Sequence, residues 1–185
     1  MKIVLNGCYG GFGLSYEAMV LYWHAKNREV FFYTDISTYH NTSDRYTKVH
    51  KYKRVTLPEI RSSQYYMIYC TTIDQGELID HFPENVVNLN DLDRTDPILI
   101  SVVETMGSEA ASGRFAKLYI EEIPNGTQYK IDNYDGIEEL ITKDDDDWKT
   151  ASFQYQSIQA QGKIEAMWNL IKPEATPDPD LMFKE

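Results

Sequence analysis

The sequence predicts a mixed α/β fold: a central mixed sheet with an N-terminal βαβ unit, a later antiparallel hairpin and flanking helices. Three stretches carry this prediction. Residues 2–35 read as strand, loop, helix, strand. "DPILISVVETMG", residues 96–107, reads as a capped helix. "AKLYIEEIP" and "TQYKIDNYDGIEEL" read as strands joined at "PNG", a hairpin turn.

Taken in order, "KIVLNG" is a short β-branched run that ends in glycine, as a buried strand does. Ser15 is a suitable N-cap for a helix running to about Asn27, with Leu14, Ala18, Leu21 and Ala25 as its inward stripe. "REVFFYTD" is the second strand and pairs in parallel with the first in a βαβ unit. Residues 36–63 read as a loop with one strand near 49–56. "QYYMIYCTT", residues 64–72, is apolar on both faces and suits a central strand. "QGELIDHF" fits a short helix and "NVVNL" a short strand. Asp96 caps the next helix and Pro97 fits its first position. Leu99, Val102, Val103 and Met106 line one face, and Gly107 ends it. A last helix is expected over about 156–171, docking through Ile164, Met167, Trp168 and Ile171. These elements divide the chain into an α/β domain (1–142), an acidic loop with a docking helix (143–172) and a flexible Pro-rich tail (173–185).

Composition narrows the function classes. The 185 residues carry a formal charge of −11, unevenly spread. Residues 1–73 have nine Lys/Arg against five Asp/Glu, and residues 74–148 have five against nineteen. Such polarity can steer partners. The two cysteines, Cys8 and Cys70, have no metal or disulfide spacing. The opening reads as a strand rather than a signal peptide, and no run of about 18 apolar residues suggests a membrane span. The expected location is cytoplasmic, with no cofactor and no metal, and with self-association left open.

"LNGCYGGFGLS", residues 5–15, is the first candidate site. Gly7, Gly11 and Gly13 fit G-x-x-x-G-x-G, a spacing of dinucleotide-binding turns, in which small residues let backbone N–H groups approach a phosphate. Asp35, 22 residues after Gly13, could accept hydrogen bonds from a ribose. The candidate ligand-binding set is Asn6, Gly7, Cys8, Tyr9, Gly10, Gly11, Phe12, Gly13, Ser15, Asp35 and Arg94. The short chain, the bulky Tyr9 and Phe12, and a Tyr-x-x-x-Lys pair confined to the first helix (Tyr22, Lys26) argue against a dehydrogenase. They favour a tight turn and leave another nucleotide open. Cys8, near a helix start, and Asp135 are the candidate catalytic residues. No His pairs with Cys8 in the sequence, so a small buried residue is the plainer reading.

Two charged stretches offer alternatives. "RYTKVHKYKR", residues 45–54, interleaves basic and aromatic residues as single-strand binders do, yet one patch in an acidic chain makes direct nucleic-acid binding the weaker reading. The acidic middle, with Glu138, Glu139 and Asp144, Asp145, Asp146 and Asp147, could occupy a basic groove on a nucleic-acid enzyme, or be solvated surface.

"KIVLNGCYGGFGLS" and the block running from "DPILISVVETMG" through "AKLYIEEIP" to "YDGIEE" resemble a family of uncharacterised bacteriophage and prophage proteins. Those proteins open with K-I-V-x-N-x-C-Y-G-G-F-x-L-S and later carry D-P-x-L-I-x-V-V-E and Y-D-G-x-E. Residues 2–35 and 91–141 are covered; after 141 this chain departs from the pattern. The resemblance implies shared roles for Asn6, Cys8, Tyr9, Gly10, Gly11, Phe12, Ser15, Asp96, Pro97, Tyr134, Asp135 and Gly136, and their convergence on one pocket is the expectation. Beyond phage origin it implies little; taken with the lack of a complete catalytic set and the charge polarity, it leads to the expectation of a phage accessory protein that inhibits a host defence system, such as CRISPR, by binding. Its partner would be a host protein met by the acidic surface or a nucleotide-derived signal held at the glycine loop. A small nucleotide-processing enzyme is the alternative.

Overall fold

The computed structural model describes residues 1–42, 45–62, 67–142, 149–150 and 158–173. The elements are β1 (Lys2–Asn6), α1 (Tyr16–Ala25), β2 (Phe31–Asp35), β3 (Thr38–Thr42), β4 (Arg45–Val49), β5 (Tyr52–Val55), α2 (Leu57–Ser62), β6 (Ile68–Thr71) and β7 (Leu78–Ile79). They continue with α3 (Pro97–Met106), α4 (Ser108–Ala111), β8 (Leu118–Glu122), β9 (Gln128–Tyr134), β10 (Ile137–Thr142), β11 (Lys149–Thr150) and α5 (Ile158–Ile171). The class is mixed α/β, and every strand pairing among the described residues is antiparallel.

The expected parallel βαβ pair is therefore absent. β1 pairs with β8, from Lys2↔Glu122 to Asn6↔Leu118. β2 has both edges filled, by β5 on one side and β6 on the other, in the order β6-β2-β5-β7. With neither edge of β2 free, the two strands flanking α1 belong to separate sheets instead of one central mixed sheet. β1 is nevertheless buried on both faces. Val4 joins the main core, while Ile3 and Leu5 pack with Ile123 and Tyr129 in a second core against the β9–β10 hairpin. A strand between two cores needs apolar residues at successive positions, hence its unbroken "IVL".

The helices follow their sequence cues. Ser15 caps α1 by accepting from the Ala18 N–H at 3.1 Å, and Leu14, Ala18, Leu21 and Ala25 are all buried. Asp96 caps α3 by accepting from the Ile98 N–H at 2.9 Å, and Gly107 ends it at φ 81°. The Tyr22 hydroxyl and Lys26 ammonium bind the same Asp96 carboxylate at 2.8 and 2.6 Å, so the Tyr-x-x-x-Lys pair ties α1 to the start of α3. α5 lies across α1 and α3 and buries Ile164, with Met167, Trp168 and Ile171 packed alongside.

Other expectations need correction. The hairpin turn is Asp135-Gly136 between β9 and β10; β8 pairs with β1 and not across "PNG" with β9. β6 is an edge strand rather than a central one; it contacts β2 and makes a single bridge from Thr71 to Val86. "QGELIDHF" forms no helix: Leu78–Ile79 adds a short strand beside β5. "NVVNL" supplies that one bridge and then a 3-10 turn at Leu89–Asp91. The stretch read as loop also contains the β3–β4 hairpin. Asp144–Asp147 and most of the Pro-rich tail lie outside the described residues.

Candidate functional site

The glycine loop leaves β1 at Asn6 and enters α1 at Ser15. Asn6 is fully buried, and its side chain fastens three chain segments. Its Nδ2 donates to the carbonyls of Cys8 and Gly136 at 2.6 and 2.7 Å, and its Oδ1 accepts from the Lys117 N–H at 2.8 Å. The Cys8 thiol donates to the Phe115 carbonyl at 3.0 Å. Backbones then meet where two glycines stand. A Cβ on Gly10 would fall 1.6 Å from the Phe115 carbonyl oxygen, and one on Gly136 would fall 2.6 Å from the Gly11 nitrogen. Gly136 also has φ +92°, a conformation that L side chains rarely adopt.

Behind the loop lies a buried ion pair. Arg94 Nη2 is 2.9 Å from Glu138 Oε1, with the two side chains 10% and 5% exposed. Glu138 Oε2 also accepts from the Asn6 N–H at 3.0 Å, and Arg94 Nη1 donates to the Leu92 carbonyl at 2.9 Å. The guanidinium sits 3.5 Å from the centroid of the Phe12 ring. A charge this far from water requires its partner and a full set of hydrogen bonds. Asn6, Cys8, Gly10, Phe12, Arg94, Gly136 and Glu138 thus form one interlocked unit that fixes the loop.

In front of the loop is a pocket of about 470 Å³. Gly10–Gly13 and the first turn of α1 form one wall, Ser112–Ala116 the opposite wall, and Ile60 and Ile68 the apolar end. Its size suits a small-molecule site. The N–H groups of Phe12, Gly13, Tyr16 and Glu17 have no acceptor among the described residues. N–H groups left over at a helix start favour an anion. The pocket's acid, Glu17, is neutralised by Arg61 at 2.7 Å. Its cation, Arg114, is exposed and has no hydrogen bond or ion pair among the described residues. The Tyr16 phenol on this wall is pushed up by burial, an effect the Arg114 charge opposes. The uncompensated charge of the site is therefore positive.

The remaining predicted residues are placed as follows. A Cβ on Gly7 would come within 3.4 Å of the Tyr119 ring, and Ser15 caps α1 while its hydroxyl donates to the Ala110 carbonyl at 2.7 Å. Tyr9 is exposed. Asp35 is not at the pocket. It ends a strand of another sheet, and β2 does not adjoin β1, so the acid cannot stand beside the glycine turn as a ribose-binding acid would. Its carboxylate is taken by Lys48 at 2.8 Å and by the Ser37 N–H at 2.8 Å. Glu138, expected on a partner-facing acidic surface, is instead withdrawn into the Arg94 pair; Glu139 is exposed. Three cations of the basic stretch are paired: Lys48 with Asp35, Lys53 with Glu59 and Arg54 with Asp74. Cys8 contacts no base among the described residues, and Asp135 occupies the hairpin turn at φ 51°. No group of three or more metal-binding side chains occurs among the described residues.

Nothing in the sequence marks Arg114 or the 112–116 wall as part of a site. The segment carries no motif in the sequence, and its approach to residues 10–15 depends on the long-range β1–β8 pairing. No protein-family model matches the chain, and no curated protein or solved structure is significantly similar to it.

Proposed function

We propose that the chain is a phage-type accessory protein that acts by binding in the host cytoplasm, and that its glycine-loop pocket captures a phosphate-bearing, nucleotide-derived ligand. Capture of such a signal would blunt a host defence response. One observation carries the reading: a ligand-sized pocket whose walls offer spare backbone N–H groups at a helix start and one uncompensated cation, Arg114. Phosphate is the group that such donors suit best. The interlocked unit behind the loop supports the same reading, because a preformed wall avoids ordering costs on binding. The biological setting rests on the resemblance of the glycine loop and the later block to phage proteins.

A thermal-shift screen tests this, using nucleoside mono-, di- and triphosphates, cyclic nucleotides and inorganic phosphate. A ligand at about 100 times its Kd adds about 2.7 kcal/mol of stability. For a chain of this size that corresponds to roughly 5–11 °C. The expected result is a shift with at least one phosphate compound. No shift with any of them at millimolar concentration removes the reading.

A second reading retains the acidic surface. Asp132 and Glu139 are direct cross-strand neighbours and both are exposed. Like charges placed opposite each other weaken a hairpin and attract a cationic partner. With Glu138 withdrawn, this surface is narrower than the sequence suggests.

A further inference from the structure

Three loops meet at one end of the molecule in a fixed order. The Cys8–Phe12 loop lies between the other two. On one side its Gly10 abuts the Phe115 carbonyl. On the other, Gly136 of the hairpin abuts the Gly11 nitrogen and the Tyr9 carbonyl. Asn6 bonds to all three segments. Backbones held this closely cannot slide past one another. Yet each loop turns a large aromatic side chain to water: Phe115 is 67% exposed, Tyr9 68% and Tyr134 77%. Large aromatic residues on a rigid frame are what association surfaces use as their energetic centre.

The two ends of this row differ in charge. Next to Phe115 stand Arg114 and Lys117; next to Tyr134 stand Asp132, Asp135 and Glu139. All five are exposed, and none has an ion pair among the described residues. A uniformly cationic or anionic partner would satisfy one end and be repelled by the other. A surface that is basic at one end, aromatic along its length and acidic at the other is complementary to itself after a half-turn.

We propose that the row Phe115, Tyr9, Tyr134 is an isologous interface between two copies of this chain, with the two-fold axis passing near Tyr9. The Arg114 and Lys117 end of one copy then faces the Asp132, Asp135 and Glu139 end of the other, twice per dimer. The interface rests on exposed aromatics and charge placement, not on the identity of a pocket ligand, though it shares Arg114 and Phe115 with the pocket wall. Because Arg114 also lines the pocket, the test leaves that residue untouched.

The test is sedimentation equilibrium of the full chain, whose monomer mass is 21.5 kDa. The wild type is expected to dimerise in a concentration-dependent way. Tyr9→Ala and Tyr134→Ala, which remove exposed side chains, should each weaken the dimer at least about tenfold while leaving circular dichroism unchanged. Lys117→Glu and Asp132→Lys should each be monomeric, because each places like charges together twice. An equimolar mixture of these two variants should regain the dimer, because both contacts then join opposite charges. A wild type that stays monomeric up to about 1 mM, or a dimer indifferent to both tyrosine variants, overturns the proposal. So does a mixture that fails to reassociate when both variants are folded and the wild type is dimeric.

Discussion

Removing the Glu138 carboxylate tests how the glycine loop is fixed. In Glu138→Ala, Arg94 keeps its buried position, its bond to the Leu92 carbonyl and its contact with Phe12, but loses its counter-charge. The Asn6 N–H loses its acceptor as well. With the two side chains only 10% and 5% exposed, little water can enter to compensate. Breaking one side of such a pair costs about 3–5 kcal/mol. At 2–4 °C per kcal/mol for a chain of this length, the melting temperature should fall by roughly 6–20 °C. Arg94→Ala should fall in the same range. The double variant should lose less than the sum of the two, because no orphaned charge remains, with a coupling of about 1–3 kcal/mol. Calorimetric or urea unfolding of the four proteins gives the cycle. Losses below about 1 kcal/mol for each single variant, as at an exposed pair, would refute the reasoning.

Four further outcomes are expected. Gly10→Ala should cost at least about 3 kcal/mol in urea unfolding, since its Cβ would meet the Phe115 backbone at 1.6 Å. Gly162→Ala in α5, where nothing lies within 4 Å, should instead add about 0.5–1 kcal/mol. Asp35 is raised by burial, but bonds from Lys48 and Ser37 outweigh this and hold its carboxyl at about 2, below its unfolded value near 3.9. Its stabilisation, about 1 kcal/mol after allowance for a side chain still 23% exposed, is complete above about pH 4 and lost as pH falls towards 2; Asp35→Asn should flatten that part of the stability–pH curve. Burial pushes the Cys70 thiol up to about 12, so iodoacetamide at pH 8 should label the half-buried Cys8 well before Cys70, as read by mass spectrometry of the native protein.

The local features were legible in the sequence because their causes are local. Ser15 and Asp96 cap helices through bonds two or three residues away, Gly107 stops a helix by its own φ, and the α1 stripe needs only the helical period. Strand pairing was not legible. "KIVLN" and "FFYTD" have the apolar runs of parallel neighbours, but such runs also arise when a strand lies between two cores, as β1 does with Ile3 and Leu5 on one face and Val4 on the other. The glycine loop itself was visible, but its counterparts were not. Arg114 lies a hundred residues from Gly13 and Glu138 lies 44 from Arg94, and only the β1–β8 pairing and the β9–β10 hairpin bring them together. Glu138 and Glu139 are indistinguishable by composition, yet the two-residue period of β10 buries one and exposes the other.

The most direct test of the central claim is titration calorimetry of the full chain with the phosphate compound that gives the largest thermal shift, performed on wild type, Arg114→Ala and Asp35→Asn. Binding at the glycine-loop pocket predicts a saturable isotherm for the wild type, at least about tenfold weaker affinity in Arg114→Ala, and no change in Asp35→Asn, whose carboxylate is committed to Lys48. Equal affinity in wild type and Arg114→Ala, or no binding heat from any phosphate compound, would contradict it.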